Sequence, residues 1–364
     1  MQLPDAASAL ALIKPSVRAQ AAYSLEQPVP ARKLNQNEAP TDLPPDLKHE
    51  ILARAGALPW HRYPAFVPTH LTGIIARRIG WVPEGVLVGN GSNEVIQAAL
   101  AVTLGDGETV VAPSPTFSLY RLLAGVMGAR YVPVALLPDF SFDLDAIIAQ
   151  VRRERARVLV LNSPNNPTGS ALPAGAVERC LAETDALLLC DEAYQEFGGP
   201  SAVSLLARSP RIVVLRTFSK AMGLAGLRFG YALAHPEVAR EIAKAKLPYN
   251  VNAITLAAAE VAFEHPDVFE ARTRTVIAER ERFLGALART PGLRAFPSAA
   301  NFVLIRLEAV PARVVFRRLL EEDGILVRDV SHAPGLEECL RISIGEREDM
   351  DAVVQALRRI LGTG

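Results

Sequence analysis

The sequence predicts an α/β protein: a three-layer large domain on a mostly parallel sheet, then a smaller α+β domain. Three observations carry this. At 364 residues the chain is too long for one small core. The runs VLVL (within 157–164), LLLC (within 186–194) and IVVL (within 211–218) are apolar without alternation. Strands covered on both faces look like this. From about residue 85 such runs alternate with helical stretches, the order that builds a parallel sheet.

In chain order, a proline-marked stretch at 28–45 reads as an arm leading into the large domain. GVLVGN (85–90) precedes the helical SNEVIQAALAVTL (92–104), and ETVVAP (108–113) precedes SLYRLLAGVMG (118–128). Further strands are expected at 129–136, 157–164, 186–194, 211–218 and 228–234. After about residue 250 the texture changes: two long helices are expected at 253–265 and 268–290. Next come strands at 301–307, 325–330 and 339–345, a helix at 312–324 and a closing helix from about 347. The expected division is an arm over 1–35, a large domain over 36–255 and a small domain over 256–364.

Composition excludes several classes. Lys plus Arg and Asp plus Glu balance at 39 each, which gives no basic footprint for nucleic acid. Cys180, Cys190 and Cys339 are scattered without CxxC spacing, and the six histidines lack HxH or HExxH spacing. Neither a disulfide framework nor a metal site is expected, and a reducing compartment fits. The first 20 residues lack the pattern of a secretory signal, and no apolar run approaches membrane-spanning length. A cytoplasmic location is expected.

Four polar motifs fall at expected strand ends, where α/β sheets bind ligands. GNGSNE (89–94) opens a helix, whose free amides suit a phosphate; a turn capped by Ser92 or Asn93 is the plainer alternative. NSPNNPTG (162–169) presents amide side chains, although turn chemistry alone accounts for most of it. Asp191 of DEAYQEF (191–197) ends a buried strand and either caps the next helix or meets a ligand with Tyr194. TFSKAMGLAGLRFG (217–230) sets Lys220 among small apolar residues. That setting disfavours the ammonium and favours a nucleophilic amine, the alternative being a snorkelling surface lysine. Thr217, Ser219 and Arg228 beside it suit a phosphate. A Schiff-base lysine, a phosphate cradle, a carboxylate and a Tyr/Asn pair are together the fittings for pyridoxal phosphate.

In order and wording, NSPNNPTG, DEAY and TFSKAMGLAGLRFG resemble the fold-type I pyridoxal-phosphate aminotransferases. IKPSVRAQAAYSLE, KLNQNEAP (33–40), YPAF (63–66) and DFSFDL (139–144) resemble its histidinol-phosphate aminotransferase branch. The resemblance implies that Lys220 bonds the cofactor aldehyde and then moves the proton. It implies that Asp191 pairs with the pyridine nitrogen, that Asn166 and Tyr194 hold the phenolic oxygen, and that Phe117 stacks on the ring. Ser92, Asn93, Thr217, Ser219 and Arg228 are implied to hold the phosphate, joined by Tyr63 from the second subunit of a homodimer. Arg341, assisted by Arg328, is implied to bind the acidic end of the substrate, with Tyr23 and Asn37 lining its entrance. Phe117 and Asn93 depart from the tyrosine and aspartate frequent in such relatives.

The expected reaction moves an amino group from histidinol phosphate to a 2-oxo acid. Two alternatives share the scaffold: an aromatic amino acid aminotransferase, and a lyase resembling threonine-phosphate decarboxylase. A DNA-binding regulatory module is disfavoured by the zero net charge, and a nucleotide-binding fold by the absence of GxGxxG and GxxxxGK[ST] patterns.

Overall fold

The computed structural model describes residues 5–20 and 28–362. Two short helices, α1 (Ala7–Leu10) and α2 (Pro15–Arg18), precede β1 (Arg32–Lys33), α3 (Pro45–Gly56) and α4 (Thr69–Ile79). The large layer then alternates through β2 (Val86–Asn90), α5 (Ser92–Thr103), β3 (Thr109–Ser114), α6 (Leu119–Met127), β4 (Arg130–Ala135) and α7 (Leu144–Glu154). It continues with β5 (Val158–Asn162), α8 (Ala176–Glu183), β6 (Leu187–Asp191), β7 (Ile212–Thr217), β8 (Phe229–Ala234) and α9 (Pro236–Ala243). These seven strands form one sheet in the order β2-β8-β7-β6-β5-β3-β4. Only β8 runs against its neighbours, so the sheet is mostly parallel as expected.

Side-chain alternation explains the continuous apolar runs. Val158 and Val160 of β5 join the core beneath α5 and α6, with Val110, Leu189 and Val213. Leu159 and Leu161 point the other way and pack with Val111, Leu188 and Val214 in the core that includes α3, α4, α7 and α8. Both faces are covered, so neither alternate set is polar.

The rest comprises α10 (Ala253–Glu264), α11 (Pro266–Leu287), β9 (Leu293–Ala295), β10 (Phe302–Leu307), α12 (Ala312–Asp323), β11 (Ile325–Leu326), β12 (Arg328–Asp329), β13 (Cys339–Ser343) and α13 (Arg347–Leu361). Strands β12-β13-β10-β9 form an antiparallel sheet whose core includes Phe302, Ile305, Phe283, Val315, Met350 and Leu357. Three details differ from the sequence expectation. The run 325–330 is two strands, because the chain changes partner at Val327: β11 pairs parallel with β1, and β12 pairs with β13. The arm is thus stitched to the small layer. Helix α10 contributes Ala258, Ala259, Val261 and Ala262 to the large-layer core, so large-layer packing continues past residue 255. Helix α11 starts at Pro266, a residue suited to the first helical turn because it has no N–H to leave unpaired.

Candidate active site

Strands β5, β6 and β7 end side by side at Asn162, Asp191 and Thr217, and Asn162 and Asp191 are register partners. Lys220 follows β7 directly. Its Nζ donates to the backbone carbonyl of Gln36 at 2.9 Å and lies 5.7 Å from the centre of the Tyr194 ring. Burial of the amine, reinforced by the positive charges of Arg341, Arg228 and Lys33 and opposed by Glu38, lowers its pKa to about 7. Among the described residues no carboxylate side chain bonds it, and the snorkelling alternative does not hold.

The start of α5 settles a second open point. Its N-cap is Gly91 at φ 79°, with no side-chain cap, so neither Ser92 nor Asn93 caps the turn. Among the described residues no side chain caps the first amides of α5, and the helix dipole adds positive potential there. Ser92 is buried, whereas the Asn93 side chain is exposed. The Arg228 guanidinium crosses Gly91 so closely that a Cβ there would collide with Nη2. Its Nη1 donates to Ser219 Oγ at 3.0 Å, and Thr217 Oγ1 donates to the same oxygen at 3.1 Å. Thr217, Ser219, Arg228 and the α5 terminus form one small basic, hydroxyl-rich cup.

Asp191 ends β6 and caps no α-helix; a turn and a 3-10 segment at Gln195–Phe197 follow it. It is buried and accepts from the Tyr120 hydroxyl at 2.6 Å through Oδ2 and from the Ala193 amide at 3.1 Å through Oδ1. Burial raises its pKa, and those two hydrogen bonds oppose the rise. Among the described residues no lysine or arginine pairs with it, and no cation contributes to the shift. Asn166 Oδ1 accepts from Arg341 Nη1 at 2.5 Å, and its amide donates to Asn162 Oδ1 at 2.9 Å. The Tyr194 hydroxyl accepts from Asn37 Nδ2 at 3.0 Å. Phe117 lies just before α6, half-buried and edge-on to Tyr120 at 5.7 Å.

The remaining expected residues divide. Arg341 is buried, with Nη2 donating to the carbonyl of Asn35 at 2.6 Å, and Arg328 is its register partner on β12. Asn37, expected at the entrance, is buried: Ser343 Oγ bonds its Oδ1 at 3.1 Å and accepts from its backbone amide at 2.8 Å. It acts on Tyr194 from inside. Tyr63 stands apart, 80% exposed and stacked on Tyr249 at 4.4 Å. Tyr23 lies outside the described residues. Sequence reasoning missed Tyr120, Gln36 and Ser343. Gln36 lies inside the quoted motif KLNQNEAP and Ser343 on the expected strand at 339–345, while Tyr120 is one aromatic in an apolar helix and carries no local signal.

This donor set fits pyridoxal phosphate. A buried carboxylate lacks a cation, an amine is held near neutrality, and an uncapped helix start is crossed by a guanidinium. The model of the family described as aminotransferase class I and II matches residues 31–357. The chain belongs to that family. Histidinol-phosphate aminotransferase of Prosthecochloris aestuarii is 40% identical over 353 residues, covering 96% of this chain and 98% of the relative. The protein of the same name from Chlorobaculum tepidum is 41% identical over 329 residues, covering 90% and 94%. Among solved structures, histidinol-phosphate aminotransferase from Sinorhizobium meliloti in complex with pyridoxal-5'-phosphate superposes with a TM-score of 0.87. It is 28% identical, over 97% of this chain and 98% of that one. The family match and these likenesses bear out the expected fold-type I architecture.

Proposed function

We propose that this chain is a pyridoxal-phosphate-dependent aminotransferase that moves the amino group of histidinol phosphate to 2-oxoglutarate in histidine biosynthesis. The observation that carries the chemistry is the place of Lys220: it follows β7 directly, its amine bonded to the Gln36 carbonyl, at the sheet edge where the neighbouring β6 ends in buried Asp191. The substrate comes from the names of relatives about 40% identical over nearly the whole chain.

When bound, pyridoxal phosphate supplies an aldehyde that bonds an amine and a ring that accepts electron density from the adjacent carbon. The chain's own residues do the rest. With its pKa lowered to about 7, Lys220 has its neutral amine accessible near neutral pH, so Nζ can attack a carbonyl and afterwards take and return a proton. The cup of Ser92, Thr217, Ser219 and Arg228 holds the phosphate, and Phe117 offers its face to the ring. The Asp191 carboxylate stabilises a proton on the ring nitrogen. Arg341 occupies Asn166 Oδ1, which turns the donating Nδ2 of Asn166 away from the guanidinium. Arg341 and Arg328, paired across β13 and β12, attract the acidic group of the substrate.

The reading includes a homodimer in which Tyr63 reaches the second subunit's phosphate cup. Its support is the exposed aromatic cluster of Tyr63, Phe66 and Tyr249, a surface that a second copy would cover. A cytoplasmic location belongs to the same reading; no described helix is long and apolar enough to cross a membrane.

A half-reaction tests it. Protein loaded with pyridoxal phosphate is mixed with histidinol phosphate, phenylalanine or threonine phosphate, without a 2-oxo acid. Bleaching of the cofactor absorption by low histidinol phosphate is expected. Bleaching by phenylalanine alone would move the enzyme to aromatic amino acids, and carbon dioxide released from threonine phosphate would make it a lyase.

A further inference from the structure

The cofactor site has a hydrogen bond behind it that no expected role uses. Tyr120 is fully buried on α6, and its hydroxyl donates to Asp191 Oδ2 at 2.6 Å. That length is in the range of a charge-assisted O–H···O⁻ bond. It joins residues 71 apart in the chain. Tyr120 lies three residues after Phe117 and meets it edge-on, so the entry to α6 supplies both a ring for the cofactor face and a hydroxyl for the carboxylate.

We propose that Tyr120 is a positioning residue that acts through Asp191: it fixes the carboxylate and keeps it ionised, which keeps the ring nitrogen of the bound cofactor protonated. The proposal rests on the pyridoxal-phosphate reading above. Asp191 has two hydrogen-bond donors, Tyr120 and the Ala193 amide, and no cation among the described residues. The amide is fixed by the turn after β6, so the hydroxyl is the one side-chain donor that sets the carboxylate plane. Burial works against the charge. Removal of a donor from a buried carboxylate favours its neutral form, which no longer stabilises a proton on a ring nitrogen. A buried tyrosine that merely needed an acceptor would leave the cofactor's protonation unchanged.

The test uses holoenzyme loaded with pyridoxal phosphate labelled with nitrogen-15 in the ring. Wild type is expected to show the shift of a protonated ring nitrogen. Tyr120→Phe, which deletes only the hydroxyl, is expected to move that signal toward the neutral position. It should also lower kcat about tenfold while leaving KM within about twofold, the pattern of a lost transition-state interaction. In an Asp191→Asn background the same change should add nothing, because the carboxylate it acts through is gone. An unmoved nitrogen signal in folded Tyr120→Phe, or additive losses in the double variant, overturns the proposal. Failure of wild type to bind the cofactor overturns the pyridoxal-phosphate reading itself, and this proposal with it.

Discussion

Gly230→Ala is the sharpest probe of the phosphate cup, because it adds one methyl group away from any charged partner. Gly230 lies within β8, with Gly89 of β2 as register partner on one side and Thr217 of β7 on the other. A Cβ at this position would lie 2.6 Å from the Gly91 carbonyl carbon and 2.9 Å from Ser92 Cα, and closer still to the Ser92 amide nitrogen. All three are backbone atoms, so no rotamer relieves the collision. Strand β8 is held from both sides, and therefore the start of α5 must move, by roughly 1 Å to restore ordinary contact. A displacement of that size typically costs about 100-fold where geometry matters, or about 2.7 kcal/mol. The overpacking itself destabilises by about 1–3 kcal/mol. The assay compares titration of cofactor-free protein with pyridoxal phosphate and with pyridoxal, which lacks the phosphate. Affinity for the phosphorylated compound should fall about 100-fold while affinity for pyridoxal stays near wild type. Equal losses for both, or no loss, would refute the assignment of the α5 terminus to the phosphate.

Three further outcomes are expected. The amine of Lys220, with its pKa lowered from 10.5 to about 7, should react with a small aldehyde at a rate that rises through about pH 7. A midpoint near 10 in the cofactor-free protein excludes the desolvated amine. The sign for stability follows: between those two values the unfolded chain binds the extra proton, so this lysine's contribution to folding stability rises with pH across the window. Arg216→Met strands the buried Glu192 carboxylate, whose partner guanidinium lies at 2.7 Å. It should cost about 3–5 kcal/mol in denaturant unfolding, and adding Glu192→Gln should recover part of that. Tyr63→Ala should weaken pyridoxal-phosphate binding with the pyridoxal affinity unchanged, provided the protein sediments as a dimer; an unaltered phosphate preference removes Tyr63 from the cup.

Much of the architecture was legible because the sheet is covered on both faces. Runs such as VLVLN and LLLCD have no alternation to confuse with a half-exposed strand, and the polar residues that end them declare the ligand edge. The chemistry was legible where one motif holds several groups, as around Lys220. What escaped is non-local. Tyr120 meets Asp191 across 71 residues, and Asn37 meets Tyr194 across 157, so each looks ordinary in its own segment. The break at Val327 escaped because ILVRDV is uniformly strand-forming; only the arrival of β1 as a partner divides it. The helices α3 and α4 precede the regular alternation and carry no motif.

The segment Asn35–Asn37 connects these parts. The carbonyl of Asn35 accepts from Arg341, that of Gln36 from Lys220, and that of Asn37 from Asn301. Three consecutive carbonyls thus hold the substrate-side arginine, the reactive lysine and a residue at the head of β10. Just upstream, β1 adds to β11 beside the small-layer sheet. The strap therefore belongs mechanically to the small layer and chemically to the large one. This arrangement accounts for a lysine without a carboxylate. Burial and the nearby Arg341 charge lower the Lys220 pKa to about 7, and the partner of its amine is a neutral carbonyl, whereas an ion pair would have favoured the ammonium.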